Sequence, residues 1–213
     1  MPELLGCVAN GKTTDEAVSA TPDAIRAYLR YLKRHGEKVD ANETIGTRVA
    51  EHNTEGLFSG QAIFPPDLRP LAPSDLARYL RWLEWSREDL LALVKGIDDR
   101  RLRAKPPKGR SLHDILLHVL AADKGYVYAL VSPLKTMGDP TNAAERGELD
   151  LRVALAEARR AALTRLAALT PAERKRVRRT GQSTYSAFRV IRRMLEHEWE
   201  HRREIAARAG REA

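Results

Sequence analysis

The 213-residue chain contains no apolar run close to the roughly 20 residues that a bilayer-spanning helix needs, so no membrane partner is expected. Its first residues lack the basic, apolar and small-residue order of a secretory signal. Cys7 is the single cysteine, which rules out an intrachain disulfide and fits a reducing compartment. These absences together point to a cytoplasmic protein. Internal repeats and low-complexity segments are also missing, which removes solenoid and linker-type architectures.

Positive charge is present, and it is uneven. Residues 1 to 70 carry 8 Lys/Arg against 10 Asp/Glu, leaving 29 against 19 for the remainder of a chain whose net charge is +8. Such a balance suits anionic partners. The sharpest cluster, Glu173 to Arg179, has none of the interleaved aromatics that single-strand surfaces use, so nucleic acid is not an expected partner. Arginines on the outer faces of Ala- and Leu-rich helices serve solubility and i,i+4 pairing instead.

Along the chain, Thr21-Pro22-Asp23 predicts a helix start, followed by a stripe of Ile25, Tyr28, Leu29 and Leu32 that Gly36 ends. Helical periodicity then lapses from 41 to 72. Thr47 to Ala50 and Gln61 to Phe64 read as short strands, and Pro65, Pro66, Pro70 and Pro73 mark a crossing into a second unit. Four long amphipathic helices follow. Ser74 caps the first, which carries Leu76, Leu80, Leu83, Leu90 and Val94. The second opens with a capping box of Ser111 and Asp114 and carries Leu112, Ile115, Val119, Ala122 and Tyr126. A loop is expected from Ser132 to Gly147. The third helix runs from about Asp150 with Leu151, Leu155, Ala158, Ala162, Leu166 and Leu169. Thr170 to Glu173 opens a short basic helix that Gly181 breaks, and the last helix runs from about Thr184 to Ala209. The fold class is therefore mainly α, a four-helix bundle over 73–213 preceded by a small α+β segment.

Chemistry is concentrated in three histidines. His197 and His201 lie one turn apart on the stripe of Val190, Met194 and Ile205, and His118 shares its stripe with Ile115 and Ala122. Three imidazoles are the usual protein complement of a metal site with one open position, so one divalent metal is expected. His113 lies about 140° around its helix from His118 and is expected at the surface, as are His35 and His52. Two motif matches are decoys. His197 to His201 fits H-E-x-x-H, but a metalloprotease needs a sheet-and-cleft setting that this helical pattern lacks. Gly6 to Thr13 fits G-x-x-x-x-G-K-[ST], but a phosphate loop follows a buried parallel strand, and only five residues precede Gly6.

With these residues in view, the segment from about 73 to 209 resembles the DinB-like family of metal-binding four-helix bundles, including the YfiT-type proteins, on Ser111 to His118 and on His197 to Ile205. The resemblance implies zinc or nickel on the three histidines and an activity as a thiol-dependent transferase or isomerase, with a low-molecular-weight thiol and an electrophilic substrate as partners. On that reading Arg193 and Arg202 are candidates for holding the acidic groups of the thiol cofactor. Glu204 and Asp114 are candidates for a general base or an acceptor that orients a ligand imidazole. A metal-dependent hydrolase and a non-catalytic metal-stabilised module stay open as alternatives, as does a homodimer.

The opening Pro2 to Ala17, followed by Ala24 to Leu29, looks like a HicB-like domain that begins at its third element, a strand-turn-helix over 1–45 with a linker over 46–72. The two strands that normally precede that element are absent from this sequence.

Overall fold

The structure, a computed structural model, describes residues 1, 3–52, 62–181 and 183–211. Helix α1 spans Thr14–Arg34, α2 Pro73–Val94, α3 Asp99–Arg103, α4 Leu112–Leu130, α5 Lys135–Glu145, α6 Leu151–Ala167, α7 Pro171–Lys175 and α8 Ala187–Ala209. A two-stranded antiparallel hairpin of β1, Val177–Thr180, and β2, Ser183–Ser186, lies between α7 and α8. No helix among the described residues is long and apolar enough to cross a membrane.

The fold is mainly α, as the periodicity predicts, and α2, α4, α6 and α8 form the bundle. Helices α2 and α4 each pack against both α6 and α8, so α2 faces α4 and α6 faces α8 across the centre. The apolar stripes account for the core: Leu83, Leu90 and Val94 of α2, Ile115 and Val119 of α4, Leu155, Ala158 and Ala162 of α6, and Val190, Met194 and Ile205 of α8 are all buried. Local signals fix the ends. Ser111 and Asp114 close a capping box at α4, Asp150 accepts from the Arg152 and Val153 amides at α6, Thr170 and Glu173 close a second box at α7, and Gly210 ends α8 at φ +66°.

Several local expectations are corrected. Ser74 does not cap α2, which begins at Pro73 after Ala72 with no side-chain cap. Helix α1 begins at Thr14, ahead of Thr21, because Thr13 Oγ1 accepts from the Glu16 amide and Glu16 returns the bond to the Lys12 amide, so Pro22 is carried inside the helix. The loop expected from Ser132 to Gly147 contains α5, despite Pro140. That helix is held by burial of Met137, Thr141 and Ala144 and by a close approach at Gly138, where a Cβ would sit 2.7 Å from the Tyr128 hydroxyl oxygen. The basic run after Thr170 turns into the hairpin at Val177, and α8 starts at Ala187, capped by Ser186. The strand expected near the N-terminus is absent among the described residues: residues 3 to 6 form turns, and β1 and β2 are the strands. Thr47 to Ala50 is likewise irregular, and Ala62 to Phe64 is unpaired, while Gln61 lies outside the described residues.

The N-terminal segment does not stand apart. Leu5, Cys7, Tyr28, Tyr31 and Leu32 belong to the same apolar cluster as the bundle helices. Gly6, at φ +92°, lets the chain pass so close to Tyr28 that a Cβ would collide with its hydroxyl, which donates to the Leu5 carbonyl at 2.6 Å. Trp199 of α8 then meets Tyr28 edge-on at 4.9 Å and Tyr31 at 5.1 Å. Helix α1 therefore covers a face of α8 that a bare four-helix bundle would leave wet.

Candidate metal centre

Helices α4 and α8 pack side by side, and His118 of the first meets His197 and His201 of the second. The ring centroids lie 4.5 to 5.2 Å apart, the Nε2 atoms of His118 and His197 are 2.9 Å apart, and one ring nitrogen from each of the three falls within 4.8 Å of the others. The i,i+4 spacing on α8 supplies two of them from one face, and the α4 stripe supplies the third. Burial grades across the site. His197 and His201 are almost covered and His118 is exposed, so the cluster opens toward solvent on the α4 side.

The 124-residue stretch from Trp82 to Ile205 matches the family model of the DinB superfamily. This chain belongs to the DinB superfamily. All three histidines and most of the four bundle helices fall inside the matched stretch. A UPF0150 protein of Thermoplasma acidophilum is 49% identical over 39 residues, which is 18% of this chain and 56% of that relative, so the chain spans about half the length of the curated relative it matches. No solved structure matches the chain.

The donor set fits a divalent ion on its own chemistry. A metal takes the neutral imidazole. Burial, then the neighbouring His201 and His118 imidazoles and Arg193, push the pKa of His197 down to about 3, and burial followed by Arg110 lowers that of His118. Of the remaining ring nitrogens, His201 Nδ1 donates to Glu204 Oε2 at 3.1 Å. Glu204 is held in turn by Arg208 at 2.9 Å, and Arg208 reaches the Arg110 carbonyl at 2.5 Å, tying the loop before α4 to this edge of the site. Such a carboxylate fixes the tautomer that leaves Nε2 free as a ligand. His197 Nδ1 is buried without a partner.

The other sequence candidates fall in different places. Arg193, one turn before His197, is buried, donates to Glu196 Oε2 at 2.9 Å and bonds Tyr126, whose ring lies 6.1 Å from that of His197. It borders the site. Arg202 does not: about 140° around α8 from His197, it is buried against Tyr31 and Trp199 and donates to Asp89 at 2.8 Å. It belongs to the seam with α1. Asp114 is engaged at the start of α4, where its carboxylate accepts from the Ser111 amide and lies 3.8 Å from His113, and the Ser111 hydroxyl lowers its pKa. His35, expected at the surface, is half-buried at 2.9 Å from Asp89 and stacked on Trp85, whereas His52 is exposed as expected.

Glu198 decides the H-E-x-x-H question. Its carboxylate is turned into the bundle centre, accepting from Arg87 Nε at 2.7 Å and Arg159 Nη2 at 2.5 Å, and these two guanidiniums hold its pKa down to about 2 against the opposing effect of burial. It cannot face a reacting water at the histidines. Sequence reading missed this group, Arg87, Asp123, Arg159 and Glu198, although a signal was present. Each falls four residues after an apolar stripe member: Leu83, Val119, Leu155 and Met194. A charged residue on an inward stripe requires a buried partner of opposite sign.

Proposed function

We propose that this DinB-superfamily chain is a divalent-metal-dependent enzyme in which His118, His197 and His201 hold one zinc or nickel ion. A low-molecular-weight thiol would be the co-substrate and an electrophile the second substrate. The observation that carries this reading is the convergence of three imidazoles with graded burial, one of them oriented by Glu204 and another exposed toward solvent. Bound there, the ion would favour the thiolate form of a thiol whose ordinary pKa is about 8.5.

The chain's own residues supply the rest. Glu204 accepts the His201 Nδ1 proton and keeps that ring in one orientation. Arg193 is a fixed cation at the inner edge of the site, placed to attract an anionic group of a thiol cofactor, with Tyr126 beside it. Glu198 and Asp114 are committed elsewhere, which leaves Glu204 as the candidate carboxylate that reaches a histidine of the site.

The HicB-like character of the N-terminal segment is the finer part of the proposal. It is supported by the short UPF0150 match and by the loop–helix passage from Gly6 into α1. Its packing into the bundle core gives it a structural duty here, whatever partner it meets.

The test is elemental analysis of untagged protein together with conjugation of bacillithiol, mycothiol and glutathione to monochlorobimane. About one equivalent of metal, lost in the His118, His197 and His201→Ala triple variant, and a thiol-dependent acceleration lost in His201→Ala are the expected results. Full metal content in the triple variant would refute the site. Metal held by the wild type and lost in the triple variant, without any thiol-dependent acceleration, would favour the non-catalytic module.

A further inference from the structure

At the centre of the bundle, each of its four helices contributes one charged side chain to a single cluster: Arg87 from α2, Asp123 from α4, Arg159 from α6 and Glu198 from α8. All four side chains are between 1 and 3% exposed. Both guanidiniums bridge both carboxylates. Arg87 donates to Glu198 at 2.7 Å and to Asp123 at 2.8 Å, and Arg159 donates to Asp123 at 2.6 Å and to Glu198 at 2.5 Å. Each arginine then sends a further bond to the other's helix: Arg87 to the Leu155 carbonyl of α6 at 2.7 Å, and Arg159 to the Leu83 carbonyl of α2 at 2.6 Å.

The carboxylates sit on the two helices that carry the imidazoles. Glu198 follows His197 directly, about 100° around α8 from it and about 60° from His201, and Asp123 lies five residues beyond His118 on α4. Two carboxylates facing each other across α4 and α8 would repel. The two guanidiniums reverse that sign, in one arrangement that involves all four helices.

We infer that Glu198 and Asp123, clamped by Arg87 and Arg159, are positioning residues for the metal centre. The cluster sets the rotation of α8 against α4 so that His197 and His201 meet His118. Fully buried ion groups are poor sources of net stability, and apolar replacements of similar volume are often neutral or better. What such a network supplies is a unique register. A site built from two helices requires that register.

This inference rests on the metal reading above, and the experiment separates the two. Zinc affinity of the full chain is measured by competition with a chromophoric chelator, beside the thermal midpoint of the metal-free protein. The variants are Glu198→Gln, Arg159→Lys, and, as a control, Asp67→Asn. Asp67 is equally buried and is held bidentately by Arg192 on a different side of α8, at 2.7 and 2.8 Å. Groups bonded directly to metal ligands are worth about 10–100-fold in metal affinity, and a lost register, which displaces the ligands themselves, is set in the same range. Glu198→Gln and Arg159→Lys should therefore weaken zinc binding at least about tenfold, while Asp67→Asn lowers the midpoint comparably and changes zinc affinity less than about threefold.

Zinc affinities in Glu198→Gln and Arg159→Lys that stay within about threefold of wild type, or that fall no further than in the control, overturn the inference while leaving the metal site intact. Absence of zinc binding in the wild type overturns the metal reading itself. If Glu198→Gln does not fold, Arg159→Lys alone decides, because it keeps the charge and removes the second bridge.

Discussion

Trp199 lies two residues from both His197 and His201 yet points to the opposite side of α8, so it separates fold energetics from site chemistry. Its ring is 5% exposed, edge-on to Tyr28 at 4.9 Å and tilted on Tyr31 at 5.1 Å, with the Arg202 guanidinium 5.4 Å from its centre. Truncating a buried tryptophan costs about 3–5 kcal/mol through lost transfer energy and the cavity left behind. In a domain of this size, about 1 kcal/mol moves the thermal midpoint by roughly 2–4 °C, so Trp199→Ala should lower it by roughly 6–20 °C. The chain should still melt in one transition, because α1 and the bundle share one apolar cluster. Calorimetry in the presence of a chelator checks both statements, and zinc affinity at a temperature where the variant is folded should stay within about threefold of wild type. Two resolved transitions, only the smaller of which shifts, would refute the single core and restore an independent N-terminal unit.

Two further outcomes follow from single carboxylates. Glu204→Ala removes the acceptor of His201 Nδ1 and should weaken zinc binding by about tenfold, the low end of the range for such partners because the carboxylate is 35% exposed; an unchanged affinity by chelator competition would show that Glu204 orients nothing. Glu173 is held down to about 2 by the Thr170 amide and by Arg165, so its folded-state pKa lies below its unfolded value near 4.5. A depressed carboxylate stabilises above the unfolded pKa and loses that contribution as pH falls. The stability difference between wild type and Glu173→Gln in urea titrations should thus be constant above about pH 5 and shrink steadily from about 4.5 toward 2; a difference that stays undiminished down to pH 2 would contradict the assignment.

The bundle and its three histidines were legible because both depend on local spacing. Stripes at the helical period marked α2, α4, α6 and α8, and an i,i+4 pair on one of them marked the site. What was not legible depended on partners distant in sequence. Helix α5 has a proline inside it and is held by tertiary burial of Met137, Thr141 and Ala144, which no local propensity announces. The Val177–Ser186 hairpin carries a basic run that reads equally well as a helix surface. Arg202 looked like a site residue because it adjoins His201, yet neighbours on a helix diverge by about 100°, and its true partner is Asp89, 113 residues away. The central charges were visible as anomalies on apolar stripes, but pairing Arg87 with Glu198 and Asp123 with Arg159 required the fold.

Helix α8 is enclosed through its first half on every side, from Ala187 to Trp199, by the other bundle helices, α1 and the segment around Asp67. An amide there has no local route to solvent. Hydrogen exchange along that stretch should therefore report global opening, whereas the exposed residues Val177 to Arg179 and α7 exchange through small fluctuations. His197 belongs to the slow class and His118 lies at the surface. An ion held between them would enter and leave by way of the α4 side, at rates set by a side-chain movement, without waiting for the helix that anchors it to come apart.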